Sequence, residues 1–113
     1  MKAPEWLTAV EAARRLLFPG KSFRQEVTRG TRVKARIEIG PDMFVDLFFR
    51  EETGRIDYAL IVRGQRRYGL DNLGGWHEHP LDNPDSHRPI DAPSPEEALR
   101  RLHAAAGHFV TSD

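Results

Sequence analysis

A chain of 113 residues, 39% hydrophobic and 30% charged, is long enough for one hydrophobic core and too short for two. Its 17 lysines and arginines balance 17 acids, so no bulk charge draws it to nucleic acid, although Arg14-Arg15, Arg66-Arg67 and Arg100-Arg101 concentrate positive charge locally. The lack of cysteine excludes disulfides, thiolate metal sites and cysteine nucleophiles. No leader pattern or membrane-length apolar run is present, so the expectation is one cytoplasmic domain with no membrane partner.

The first predicted element is a helix opened by a Thr8–Glu11 capping box and stopped at Pro19-Gly20, with Trp6 or Leu7 stapling it to the fold. The period then changes from helical to two. Ser22 to Thr28 reads as a strand, and Val33, Ala35, Ile37 and Ile39 alternate with charged residues as in a half-buried one. Met43 to Arg50 and Arg55 to Val62 form a hairpin that pairs Phe49 with Ile56, Leu47 with Tyr58, Val45 with Leu60 and Met43 with Val62. All eight fall on one face, and a slip by one residue would turn every one of them outward. A turn made of Arg63, Gly64 and Gln65 together then sets Leu60 opposite Tyr68 and Tyr58 opposite Leu70, which pairs apolar with apolar. The last element is a helix from Pro95 to Ala106, with Ser94 as N-cap, Glu97 completing a capping box and Gly107 ending it. The expected fold is therefore α+β: an N-terminal helix, an antiparallel meander of about five strands, a loop rich in His and Pro, and a closing helix.

That register places Phe44, Asp46, Phe48, Asp57, Ala59, Ile61, Arg67, Gly69 and Asp71 on the face away from the core, with Asp57 directly opposite Asp71. Facing carboxylates repel, so solvent, Arg50 or Arg67, or a bound cation must relieve them. Phe44, Phe48 and Ile61 make this face apolar enough to serve a homodimer or another partner.

Between Asp71 and His87 the chain gathers His77, His79 and His87 on a segment broken by Gly74-Gly75 and Pro80. Three chemistries suit these residues. His77 and His79 can ligate a metal, with Asp71 or His87 completing the set, although His-x-His matches no closed zinc signature. His79 can transfer a proton with Asp71 orienting it and His77 as a second acid–base group or ligand, while Arg66 and Arg67 hold phosphate. The rings can equally cap strand ends. Trp76 either anchors the segment on the core or contacts substrate. His103 and His108 lie on or after the last helix and fall outside the site.

The segment Tyr68-Gly69-Leu70-Asp71-Asn72, the run Trp76-His77-Glu78-His79-Pro80, the later His87 and the closing helix opened by Ser94-Pro95-Glu96-Glu97 resemble the TumE-like family of small toxin–antitoxin proteins. The likeness covers the second half of the chain. Here His77 and His79 are separated by Glu78, where the family often has adjacent histidines. The resemblance implies a growth-inhibiting toxin paired with a helix-turn-helix antitoxin. Combined with the Asp, His and Arg residues, it leads to an expected ribonuclease-like site acting on RNA, with Asp71, His77, His79 and His87 catalytic and Arg66, Arg67 and Trp76 binding substrate. A cofactor is not specified. The alternative is a binding module that works through the Phe44, Phe48 and Ile61 face.

Overall fold

A computed structural model describes residues 1–110. Helix α1 (Ala3–Leu17) leads into strands β1 (Ser22–Thr28), β2 (Arg32–Gly40), β3 (Met43–Arg50), β4 (Arg55–Val62), β5 (Gln65–Asp71), β6 (His77–His79) and β7 (Arg88–Pro89), and helix α2 (Pro95–Ala106) follows. The strands form one antiparallel sheet in chain order, and both helices lie on the same side of it. The α+β class is as expected, but the sheet has seven strands rather than about five. The two extra strands are three and two residues long, too short for an alternating pattern to register.

Helix α1 starts at Ala3, not at Thr8. The Glu5 carboxylate accepts from the Lys2 N–H at 3.2 Å, and the Ala3 N–H donates to Glu51 Oε1 at 2.8 Å, so the first turn is satisfied without Thr8. Thr8 instead donates its hydroxyl to the Pro4 carbonyl inside the helix. The earlier start also brings Ala3 and Trp6 into the core, a tertiary gain that local capping signals do not contain. At the other end, Ser94 accepts from the Glu97 N–H at 3.1 Å, as its N-cap position requires.

The β3–β4 register pairs Met43 with Val62, Val45 with Leu60, Leu47 with Tyr58 and Phe49 with Ile56, and β4–β5 pairs Tyr58 with Leu70 and Leu60 with Tyr68. The turn before β5 differs from the one expected. Arg63 (φ 51°) and Gly64 (φ 77°) form it alone, both in the left-handed conformation of a tight hairpin, and Val62 pairs with Gln65. An irregularity between Leu60 and Ile61 then absorbs one residue, Arg67, and restores the apolar register.

Trp6 is wholly buried, stacks on Phe49 with centroids 5.3 Å apart, and donates its indole N–H to the Tyr58 hydroxyl at 3.2 Å. Val10, Ala13, Leu99 and Leu102 complete the helical side of the core over Val33, Ile37, Val45, Leu60 and Leu70. Replacing Trp6 with alanine should cost ~3–5 kcal/mol, measured as a shifted urea midpoint, because it opens a cavity and leaves the Tyr58 hydroxyl unpaired. A loss below about 1 kcal/mol would show that the site collapses around the smaller side chain.

Candidate functional site

The sheet register carries side chains in rows across its helix-free face. One row runs Lys34, Phe48, Asp57, Asp71, His77; the next runs Arg24, Arg36, Asp46, Ala59, Gly69, His79. Two local devices hold the end of these rows. Asn72 accepts from the Ile56 N–H and donates to the Gly54 carbonyl, both at 2.8 Å, which fixes the position where β5 ends. Gly74 (φ 70°) and Gly75 (φ 111°) then reverse the chain so that β6 returns antiparallel to β5. His77 and His79, two residues apart on a strand, therefore share a face with Asp71.

Asp71 is only 4% exposed and His79 only 6%. Oδ2 of Asp71 lies 3.0 Å from His79 Nε2, and Oδ1 lies 3.1 Å from His77 Nε2 while accepting from the Leu73 N–H at 3.0 Å. The other nitrogen of each ring faces a backbone carbonyl: His77 Nδ1 is 3.0 Å from Gly75 O, and His79 Nδ1 is 3.2 Å from Pro84 O. His87 closes the group, its ring centroid 4.8 Å from that of His77 and 4.5 Å from that of His79. The structure thus brings together Asp71, His77, His79 and His87. Of the three rings, only that of His87 belongs to an exposed residue.

Burial works against the charge on Asp71, but the His79 hydrogen bond, the Leu73 N–H and the two nearby rings outweigh it and hold the carboxyl below its usual range. Its cross-strand neighbour Asp57 is shifted the other way. Burial and the Asp71 charge raise it, against the pull of Arg66 and Arg55, whose guanidiniums lie 3.2 and 3.1 Å from its oxygens. The facing carboxylates are therefore relieved separately, Asp57 by Arg55 and Arg66 and Asp71 by the histidines. Arg50, expected in that role, lies beside Glu52 instead.

Arg67 leaves the expected phosphate-binding position. As the bulge residue it loses the alternation, and its guanidinium lies over the Phe109 ring, 5.1 Å from the centroid. Trp76 is half-buried, packs against the core and stacks on Tyr58 with centroids 6.4 Å apart, which anchors the segment. Glu78 serves the opposite face, accepting from the Tyr68 hydroxyl at 2.5 Å and from Arg101 of α2 at 3.4 Å, which ties β6 to the helical layer. Arg66 takes the place on the open face that the expected register gave to Arg67, and its side chain crosses Gly69.

The face holding Asp57 forms an open groove of about 890 Å³ lined by Arg24, Lys34, Arg36, Arg55 and Arg66, by the acids Glu26, Asp46 and Asp57, and by Phe48 among others. Phe44 and Ile61 are half-buried, and the Arg36 guanidinium lies 3.8 Å from the Phe44 ring centroid, so the apolar patch expected here is covered at Phe44 by a cationic side chain. Sequence reasoning missed Asn72 as a positioning residue and Arg55 as a partner of Asp57. An Asn placed just after a strand was the available signal for the former.

No family model, curated protein or solved structure matches this chain. The site rests on its own geometry. Asn72→Ala should cost ~1–3 kcal/mol in urea unfolding, because the Ile56 N–H and the Gly54 carbonyl both lose their side-chain partner. An unchanged midpoint would mean that β5 ends where it does without this clamp.

Proposed function

We propose that this chain is the toxin-like member of a toxin–antitoxin pair and cleaves RNA at the centre formed by Asp71, His77, His79 and His87. The observation that supports this reading is continuity: Asp57, in the wall of the cationic groove, is the direct cross-strand partner of Asp71 in the centre. A phosphodiester backbone lying along the groove meets Arg24, Lys34, Arg36, Arg55 and Arg66, while Phe48 offers an apolar surface to a base. Such a strand reaches the centre from the side of His87, the exposed residue of the cluster.

The chemistry is intramolecular transesterification. A base at the centre takes the 2′-hydroxyl proton, the 2′-oxygen attacks phosphorus, and the 5′-oxygen leaves with a proton returned from the centre. Arg66 and Arg55 stand nearest to neutralise charge on the phosphate oxygens. Within the cluster Asp71, 3.0 Å from His79 Nε2, is the orienting partner of that ring in this reading. Both nitrogens of His79 are already engaged, so the group that meets substrate lies on the His87 side. A helix-turn-helix antitoxin belongs to this proposal as the partner that keeps the activity in check.

The test is cleavage of a mixed-sequence RNA by the purified chain, joined to bacterial growth after tightly controlled induction. Wild type should cleave and arrest growth, whereas His87→Ala at matched protein level should lose roughly 100-fold or more of the cleavage rate. Cleavage that survives both His87→Ala and the paired loss of His77 and His79 would sink the assignment.

A further inference from the structure

We infer that His77, His79 and His87, together with Asp71, form a binding site for one divalent transition-metal ion of the zinc class. The inference stands on the ring geometry alone and does not depend on RNA being the substrate. A carbonyl oxygen can only accept, so the carbonyls of Gly75 and Pro84 require a proton on Nδ1 of His77 and of His79. With Nδ1 donating to a carbonyl, each Nε2 is left to face an Asp71 oxygen, 3.1 and 3.0 Å away. The contact holds only with a cation between the two atoms, either a further ring proton, as in the hydrogen bond to Asp71 described above, or a metal ion.

Acceptors converging at such distances need a positive charge between them. The rings of His77 and His79, centroids 5.1 Å apart, converge on a single carboxylate with His87 beside them. One metal ion between them satisfies every group at once. Nδ1–H on a backbone carbonyl with Nε2 turned inward is the arrangement by which proteins orient histidine ligands.

The distances agree. Metal bonds of about 2.0–2.1 Å in a tetrahedral site set neighbouring ligand atoms about 3.3 Å apart, close to the Nε2-to-oxygen separations here. One donor atom from each of the three histidines lies within 4.8 Å of the others. His87 lies on the exposed segment between β6 and β7, and binding would require its ring to close the remaining gap. Imidazole and carboxylate donors, with no thiolate, select zinc and its first-row neighbours. If the proposed cleavage occurs here, the ion would make its bound water the base, with His87 as a ligand rather than the proton acceptor.

The experiment uses the full chain without a histidine tag, stripped of metal by chelator and then freed of chelator. Zinc is titrated by calorimetry, and cobalt(II) serves as a spectroscopic probe. Wild type should take up one ion per chain, show the visible bands of a low-symmetry cobalt site with nitrogen and oxygen ligands, and gain thermal stability with added zinc. His87→Ala should unfold at the same temperature as metal-free wild type yet bind at least tenfold more weakly, while His103→Ala binds normally. No stoichiometric uptake at micromolar zinc would overturn the site. So would binding by His87→Ala equal to wild type, or equal losses in His87→Ala and His103→Ala. RNA cleavage that persists in metal-free protein would remove the ion from that reaction and leave the binding site standing.

Discussion

A side-chain period of two, kept through most of the antiparallel pairing of β2 to β6 and restored after the bulge at Arg67, decides what meets what in this protein. On the helical side it assembles Val33, Ile37, Val45, Leu60 and Leu70 beneath Trp6, Leu99 and Leu102. On the other side the same alternation lines up Lys34, Phe48, Asp57, Asp71 and His77. Burial of the apolar set therefore fixes the polar set, because a one-residue slip would exchange the two faces. The bulge at Arg67 belongs to this economy: a tight Arg63-Gly64 turn alone would have set Leu60 opposite Arg67, and absorbing one residue restores Tyr68 to that place.

The polar centre sits where the meander narrows. Strand β6 is only three residues long, and its pairing with β5 would be weak on backbone hydrogen bonds alone. Side chains supply the rest from both faces. Glu78 joins Tyr68 and Arg101 on the helical side, Trp76 stacks on Tyr58, and on the open side Asp71 holds His77 and His79. Burial of Tyr68 and its contact with Glu78 raise the phenol above its ordinary range, so it remains a donor to the carboxylate. The result is a cluster whose buried rings are held from behind by backbone carbonyls, with His87 exposed at its solvent side.

Charge is handled by division. Asp57 and Asp71 face each other across β4 and β5, yet arginines hold one and imidazoles the other. That separation leaves the arginines on the groove side and the histidines at the sheet end.

The amino-acid sequence by itself determined the α+β class, the register of β3 against β4, the pairing of Asp57 to Leu60 with Tyr68 to Asp71, and the closing helix with its Ser94 cap. Those features depend on local chemistry: alternation over seven or eight residues, a capping side chain, a proline at the first helical turn. It also marked Asp71, His77, His79 and His87 by residue type. Only the tertiary structure decided that they meet. Strands of two and three residues carry too little pattern to announce themselves, and β6 exists because Asn72 and two left-handed glycines return the chain to β5. The fates of Arg67 and of the start of α1 were decided in the same way, by a bulge and by burial of Trp6. In each case contacts between residues far apart in the chain outweighed the local preference, and such contacts have no signature in a window of neighbouring residues.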